Sequence, residues 1–130
     1  INMPAASSLS VNDSTPTAHV YVPRQVSPNL SIFRNTADAA VAATEEQIGL
    51  SFSPASSSRE TNKVKISLAV PHEQTVDGAV VVRDTFRFNG EFVIPDGMSS
   101  TERAHAAALV ANMLDNADIS GYITDLEPVW

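Results

Sequence analysis

The sequence predicts an α+β fold: an N-terminal β-hairpin, a five-stranded antiparallel sheet, and two C-terminal helices on one face of that sheet. Three observations carry this. Residues 47–53, 62–70 and 85–94 alternate apolar with polar or basic side chains at period two, the mark of strands with one dry and one wet face. Two helical patterns with their own start signals follow the last strand. The apolar area offered by sheet and helices together exceeds what one chain can hide, so an intertwined dimer is expected, with helices crossing onto the partner.

Taken in order, Ser8–Asn12 and His19–Pro23 read as the short strands of the hairpin, joined through a turn at Asn12–Pro16. Leu30–Asn35 is a third strand, and Thr36–Thr44 is an Ala-rich helical turn or loop. In Glu46–Ser53, Ile48, Leu50 and Phe52 alternate with Gly49, Ser51 and Ser53. In Asn62–Val70, Val64, Ile66, Leu68 and Val70 alternate with Lys63, Lys65, Ser67 and Ala69, and Pro71 is expected to stop the strand. His72–Gly78 reads as a loop with a turn signal at Asp77-Gly78.

Val80–Ile94 contains Asn89-Gly90, the strongest short hairpin signal. A turn there would mix the faces. A continuous strand keeps Phe86, Phe88, Phe92 and Ile94 together, and is the reading adopted, with Gly90 marking a close approach on the apolar face. Ser99-Ser100-Thr101-Glu102 is a capping box for a helix reaching about Asn116. Its stripe Ala104, Ala107, Ala108 and Ala111 suits either close helix–sheet packing or a contact between subunits. Asp118 is the expected cap of a second helix carrying Ile119, Tyr122, Ile123 and Leu126, ended by Pro128. Residues 1–130 make one domain, with arm and hairpin at 1–24, sheet at 30–95 and helices at 99–127.

Composition narrows the function. The chain is 43% hydrophobic, too apolar for disorder, yet no run reaches the roughly 18 residues of a membrane helix. Ile1–Val11 has no basic segment leading an apolar one, so no signal peptide is expected. There is no cysteine, which removes disulfides, thiolate catalysis and Cys-based metal sites. His19, His72 and His105 lack metal-ligand spacing, and no nucleophile–base signature or glycine-rich phosphate loop is present. Neither an enzyme nor a bound cofactor is expected.

The net charge is −7, but it is unevenly spread. Five of the eight Lys and Arg residues lie between Arg59 and Arg87, while residues 96–130 carry six acids and only Arg103 as a base. The cations therefore belong to the sheet and the acids to the helices. With the three segments side by side, Ser51, Ser53, Lys63, Lys65, Ser67, Arg87 and Asn89 leave one surface. Two readings stand: an ordinary solvated face, or one that meets phosphates, sugars and base edges.

Several stretches in order resemble the coat proteins of single-stranded RNA bacteriophages, the levivirus group. They are His19-Val-Tyr-Val-Pro-Arg24, Gln47–Pro54, Lys63–Pro71, Gln74–Gly78, Phe86–Pro95, Ser99–Arg103 with the Ala-rich helix, and the ending Asp125–Trp130. The resemblance implies a coat protein that dimerises sheet edge to sheet edge with interlocked helices. It would build an icosahedral shell inside the bacterial host cytoplasm, and package single-stranded RNA in the virion. It also implies translational repression through an RNA hairpin on the inner sheet face, with Gly49, Ser51, Lys63, Lys65, Ser67, Arg87 and Asn89 as RNA-facing residues. Arg87 stands where relatives often carry a stacking tyrosine. Partners would be a second copy and RNA, with no membrane; the alternative is a dimeric RNA-binding regulator that forms no shell.

Overall fold

The computed structural model describes residues 7–126. Two compact units divide the chain, residues 1–93 and 94–130. The first is an antiparallel meander of six strands in sequence order: β1 (Leu9–Asn12), β2 (Ala18–Val26), β3 (Leu30–Asn35), β4 (Glu46–Ser53), β5 (Thr61–Val76) and β6 (Ala79–Pro95). The hairpin β1–β2 pairs Leu9 with Tyr21 and Asn12 with Ala18, and β2 goes on to pair with β3. The expected hairpin and five-stranded sheet thus share a strand, giving six in all. A single 3-10 turn, Ala42–Thr44, lies in the Ala-rich segment.

Register fixes the faces, because directly opposed residues project to the same side. Phe33 opposes Ile48, Ile48 opposes Leu68, Leu50 opposes Ile66 and Phe52 opposes Val64, so these form the apolar face. Ile32 opposes Gly49 and Gly49 opposes Ser67; Ser51 opposes Lys65 and Ser53 opposes Lys63, so these form the other. β6 runs unbroken through Asn89-Gly90. A Cβ on Gly90 would stand 3.0 Å from Cζ of Phe88, so the ring lies over the glycine and fills the space that a side chain would need.

Two expectations about the β5–β6 segment are corrected. Pro71 does not stop the strand, and His72–Gly78 is not a loop. β5 continues to Val76 and only Asp77 and Gly78, with φ of 51° and 79°, make the turn. The ladder with β4 ends at Gln47–Ala69. Pro71 therefore sits beyond the paired part of β4, where its missing N–H breaks no bond of that ladder. His72 Nδ1 donates to Asp84 Oδ1 at 2.9 Å across the resulting ribbon.

The second unit holds α1 (Ser100–Asp115) and α2 (Ala117–Thr124). Ser99 accepts from the Glu102 backbone N–H at 3.2 Å while Glu102 accepts from the Ser99 N–H at 3.0 Å, closing the capping box. That N–H holds the Glu102 carboxyl below its usual range. The second cap is Asn116, not Asp118: its side chain accepts from the Asp118 N–H at 3.0 Å. Both are good capping residues, and the one that directly precedes the helix takes the role. α2 ends at Thr124; Pro128, expected to end it, lies outside the described residues.

Burial is scarce. Among the described residues only Tyr21 and Phe33 are buried hydrophobics, with Asn35 and Thr44 as the buried polar ones. Neither helix has a buried residue. Phe52, Phe86 and Phe88 of the apolar face are 44%, 52% and 39% exposed. Leu109, Met113 and Ile123 of the helices are equally open.

Among the described residues the most deeply buried polar group is Asn35. Its Nδ2 donates to Asp38 Oδ2 at 2.8 Å, and its Oδ1 accepts the Asp38 N–H at 3.3 Å, tying the end of β3 to the loop after it. Asn35→Ala removes both bonds and leaves a gap. We expect a loss of about 1–3 kcal/mol, read as a lower urea midpoint at fixed protein concentration.

Candidate nucleic-acid interface

The polar face carries a depression of about 460 Å³ over the four strands β3–β6. Gly49 and Ser51 of β4, Lys65 and Ser67 of β5, and Asn89 of β6 line it, together with Leu30 and Glu91. Five of the seven residues singled out from sequence thus meet in one groove. Lys63, opposite Ser53, shares the face outside the groove. Arg87 precedes Asn89 by two residues on the same strand and so leaves the same side.

Gly49 has a steric role here. A Cβ at this position would lie 2.6 Å from Oγ of Ser67, so the missing side chain is what lets the serine hydroxyl sit across the strand pair. The floor is then backbone and small hydroxyl groups, which offer hydrogen bonds without bulk. Lys65 Nζ is 3.6 Å from Oε2 of Glu91, with both side chains exposed. Such a pair contributes only about 0–1 kcal/mol and exchanges readily for a stronger anion. Lys63 and Arg87 make no ion pair with any described residue. Ile66 and Gly90 complete the lining and no aromatic side chain is part of it, so the groove offers charge, hydrogen bonds and small apolar contacts rather than base stacking.

The sequence reading missed two basic residues next to this site. Arg34 of β3 opposes Gln47, and alternation with Ile32 and Leu30 puts it on the same face; the strand was recognised but its third outward residue was not weighed. Arg24 lies at a register shift between Pro23 and Gln25, which sequence spacing does not reveal. Arg59, part of the basic cluster, is spent on structure. Its Nε donates to the Thr61 carbonyl, and its Nη2 to the Ser53 Oγ and the Pro54 carbonyl, all within 3.0 Å, holding the β4–β5 turn.

A second polar cluster binds the N-terminal hairpin to β4. His19 Nδ1 donates to Glu46 Oε1 at 2.8 Å and its Nε2 donates to Asp13 Oδ2 at 2.9 Å. The Tyr21 hydroxyl donates to the same Glu46 oxygen at 2.7 Å. Two carboxylate partners require both ring nitrogens protonated. The Glu46 bond first, and the Asp13 bond second, raise His19 from 6.5 to about 9. The Thr15 hydroxyl and the backbone N–H groups of Thr17 and Thr15 hold Asp13 far below the usual carboxylate range. Burial, then the Glu46 bond, pushes the Tyr21 phenol well up.

A raised folded pKa means that the His19 contribution is complete below the unfolded value near 6.5 and is lost as pH rises through about 9. The difference in melting temperature between the wild type and His19→Gln should therefore be constant below about pH 6.5 and shrink toward zero above about pH 9. Thermal melts at stepped pH check this.

No candidate metal centre occurs among the described residues, since no group of three or more His, Asp or Glu is placed to hold an ion. No described helix is long and apolar enough to cross a membrane.

Comparison with known proteins bears on the fold and the family. Solved structures with the same fold include a virus-like particle of Beihai levi-like virus 21, with a TM-score of 0.89 and 19% identity, covering 98% of this chain and 99% of that one. A virus-like particle of bacteriophage ESE058 gives a TM-score of 0.81 at 20% identity, covering 98% and 100%. The capsid protein of bacteriophage GA gives 0.74 at 15%, covering 92% and 94%. A search of curated proteins gives no significant match. The family model described as levivirus coat protein matches residues 4–130. The six-stranded antiparallel sheet followed by two helices, matched over nearly its whole length, places the chain in the levivirus coat protein family, as a structural capsid protein of the virion and not an enzyme.

Proposed function

We propose that the chain works as an obligate homodimer that assembles into an icosahedral shell and holds single-stranded RNA against the polar face of its sheet. One observation carries this reading: the two faces of a single sheet make opposite demands. One leaves three phenylalanines between 39% and 52% exposed, while the other offers a serine-lined groove with Lys63, Lys65 and Arg87 around it. Apolar area on that scale is stable in water only when another surface covers it. The open apolar residues of α1 and α2 supply the complementary half when a second copy brings its helices across. In that reading residues 1–130 act as one coat domain.

The groove side is suited to RNA. Lysine and arginine meet phosphates, while the Asn89 amide and the Ser51 and Ser67 hydroxyls meet sugar hydroxyls and base edges. An RNA hairpin lying across paired grooves would be retained in the same way, and translational repression follows if that hairpin covers a start site.

Negative-stain microscopy and native mass spectrometry of the expressed protein test the reading together. Closed particles that dissociate to dimers and contain nuclease-protected RNA are the expected result. A stable monomer at all concentrations would reject the dimer. Stable dimers that never form shells would instead support a non-assembling RNA-binding regulator.

A further inference from the structure

We propose that Arg24 and Arg34, with Gln25, form a second phosphate-binding step on the polar face, carrying a bound RNA strand from the groove across β3 onto β2. This rests on the RNA reading above and names residues that it does not include. Pro23 opposes Phe33 and Gln25 opposes Ile32, so Arg24 is the extra residue of a β-bulge. A bulge leaves one residue unpaired and re-aims its side chain. The effect is visible here: the neighbours Arg24 and Gln25, which a regular strand would send to opposite faces, line one depression of about 390 Å³ together with Ile32, Arg34 and Glu45.

Arg34 is held in place for the role. Its Nη1 stands 3.5 Å from Oε1 of Glu45, whose side chain is only 12% exposed, while the Arg34 side chain is 42% exposed. A guanidinium carries five N–H donors, so one edge can face Glu45 and another an incoming phosphate. Arg24 is exposed and makes no ion pair with any described residue. Two guanidinium groups against one carboxylate leave the depression cationic.

Its position continues the groove. Leu30 lines the groove, and Ile32 and Arg34 follow it on the same face of β3. At about 3.4 Å per residue, Arg34 is roughly 14 Å from Leu30, the reach of a few nucleotides. An acidic protein segment would satisfy the same charges, but the continuous shared face with the groove favours the polynucleotide.

The test uses full-length protein released from particles. Single-stranded homopolymers of about 4 and about 16 nucleotides are titrated over a salt series. Arg24→Gln with Arg34→Gln should leave the short oligomer unaffected and lower the log–log salt slope for the long one by about 1.4 per chain, two contacts at about 0.7 each. Arg24→Lys with Arg34→Lys should keep the slope. Arg24→Gln alone, at an exposed bulge, should lower it by about 0.7 without disturbing the fold.

An unchanged slope in the Gln variants overturns the proposal. If Lys63→Ala with Lys65→Ala is equally silent, the RNA reading of the whole face falls with it; if the lysine variant does weaken binding, only the Arg24–Arg34 step falls. Loss of subunit association with RNA binding intact would assign the pair to an acidic segment of a second copy, and would also overturn the proposal.

Discussion

Phe86→Asp should abolish particle formation, although Phe86 is half in solvent in the isolated chain. In a stable monomer, a residue 52% exposed tolerates a polar replacement at a cost within about 0.5 kcal/mol. In a dimer that covers the apolar face the same replacement is severe. A phenylalanine buries about 150–250 Å², so covering its open half removes roughly 100 Å² from water, about 2.5 kcal/mol. A carboxylate trapped there adds several kcal/mol for desolvation.

A two-fold dimer suffers both losses twice. The sum is on the order of 10 kcal/mol, or about seven decades in the association constant. Size exclusion and native mass spectrometry at micromolar protein should then find neither particles nor dimers, while Phe86→Leu keeps both. Normal particles from the Asp variant would remove the exposed face as the reason for assembly.

The parts of the fold that were legible are those written in local period. Alternation over 47–53 and 62–70 sorted the residues correctly by face, because register pairs like with like: Ile48 with Leu68, Ser51 with Lys65. Alternation also resolved Asn89-Gly90, where keeping four apolar residues on one side outweighed a strong turn signal.

What failed depended on neighbours. Pro71 breaks a ladder only where a neighbouring strand needs its N–H, and the end of β4 at Gln47–Ala69 is invisible from Pro71 itself. The cap of α2 was misplaced by two residues because Asn116 and Asp118 have nearly equal capping chemistry. The His19–Glu46 bond joins residues 27 apart, and no spacing rule reaches it. The groove was readable as a set of outward residues on three strands, whereas the Arg24 bulge arises from a mismatch between two strands that neither strand records alone.

Lys63→Ala combined with Lys65→Ala should leave assembly intact and strip particles of most of their RNA. Both residues stand on the polar face, opposite Ser53 and Ser51, so truncation removes little packing and costs within about 0.5 kcal/mol of stability. The electrostatic effect is far larger. Around the groove each chain offers Lys63, Lys65 and Arg87, so two chains offer six cations there, and at about 0.7 per phosphate their share of the salt slope is about −4. Of these six the double variant keeps only the two copies of Arg87, and their share of the slope falls to about −1.4.

Losing Lys65 also frees Glu91, its partner at 3.6 Å, so the groove keeps a carboxylate with no counter-charge against the incoming phosphates. Net charge per chain moves from −7 to −9, and self-repulsion within a shell grows while the anchors weaken. Particles of the double variant should therefore show a lower ratio of absorbance at 260 to 280 nm and little nuclease-protected RNA, with Lys63→Arg plus Lys65→Arg restoring both. A full RNA complement in the alanine particles would show that these lysines do not hold the genome.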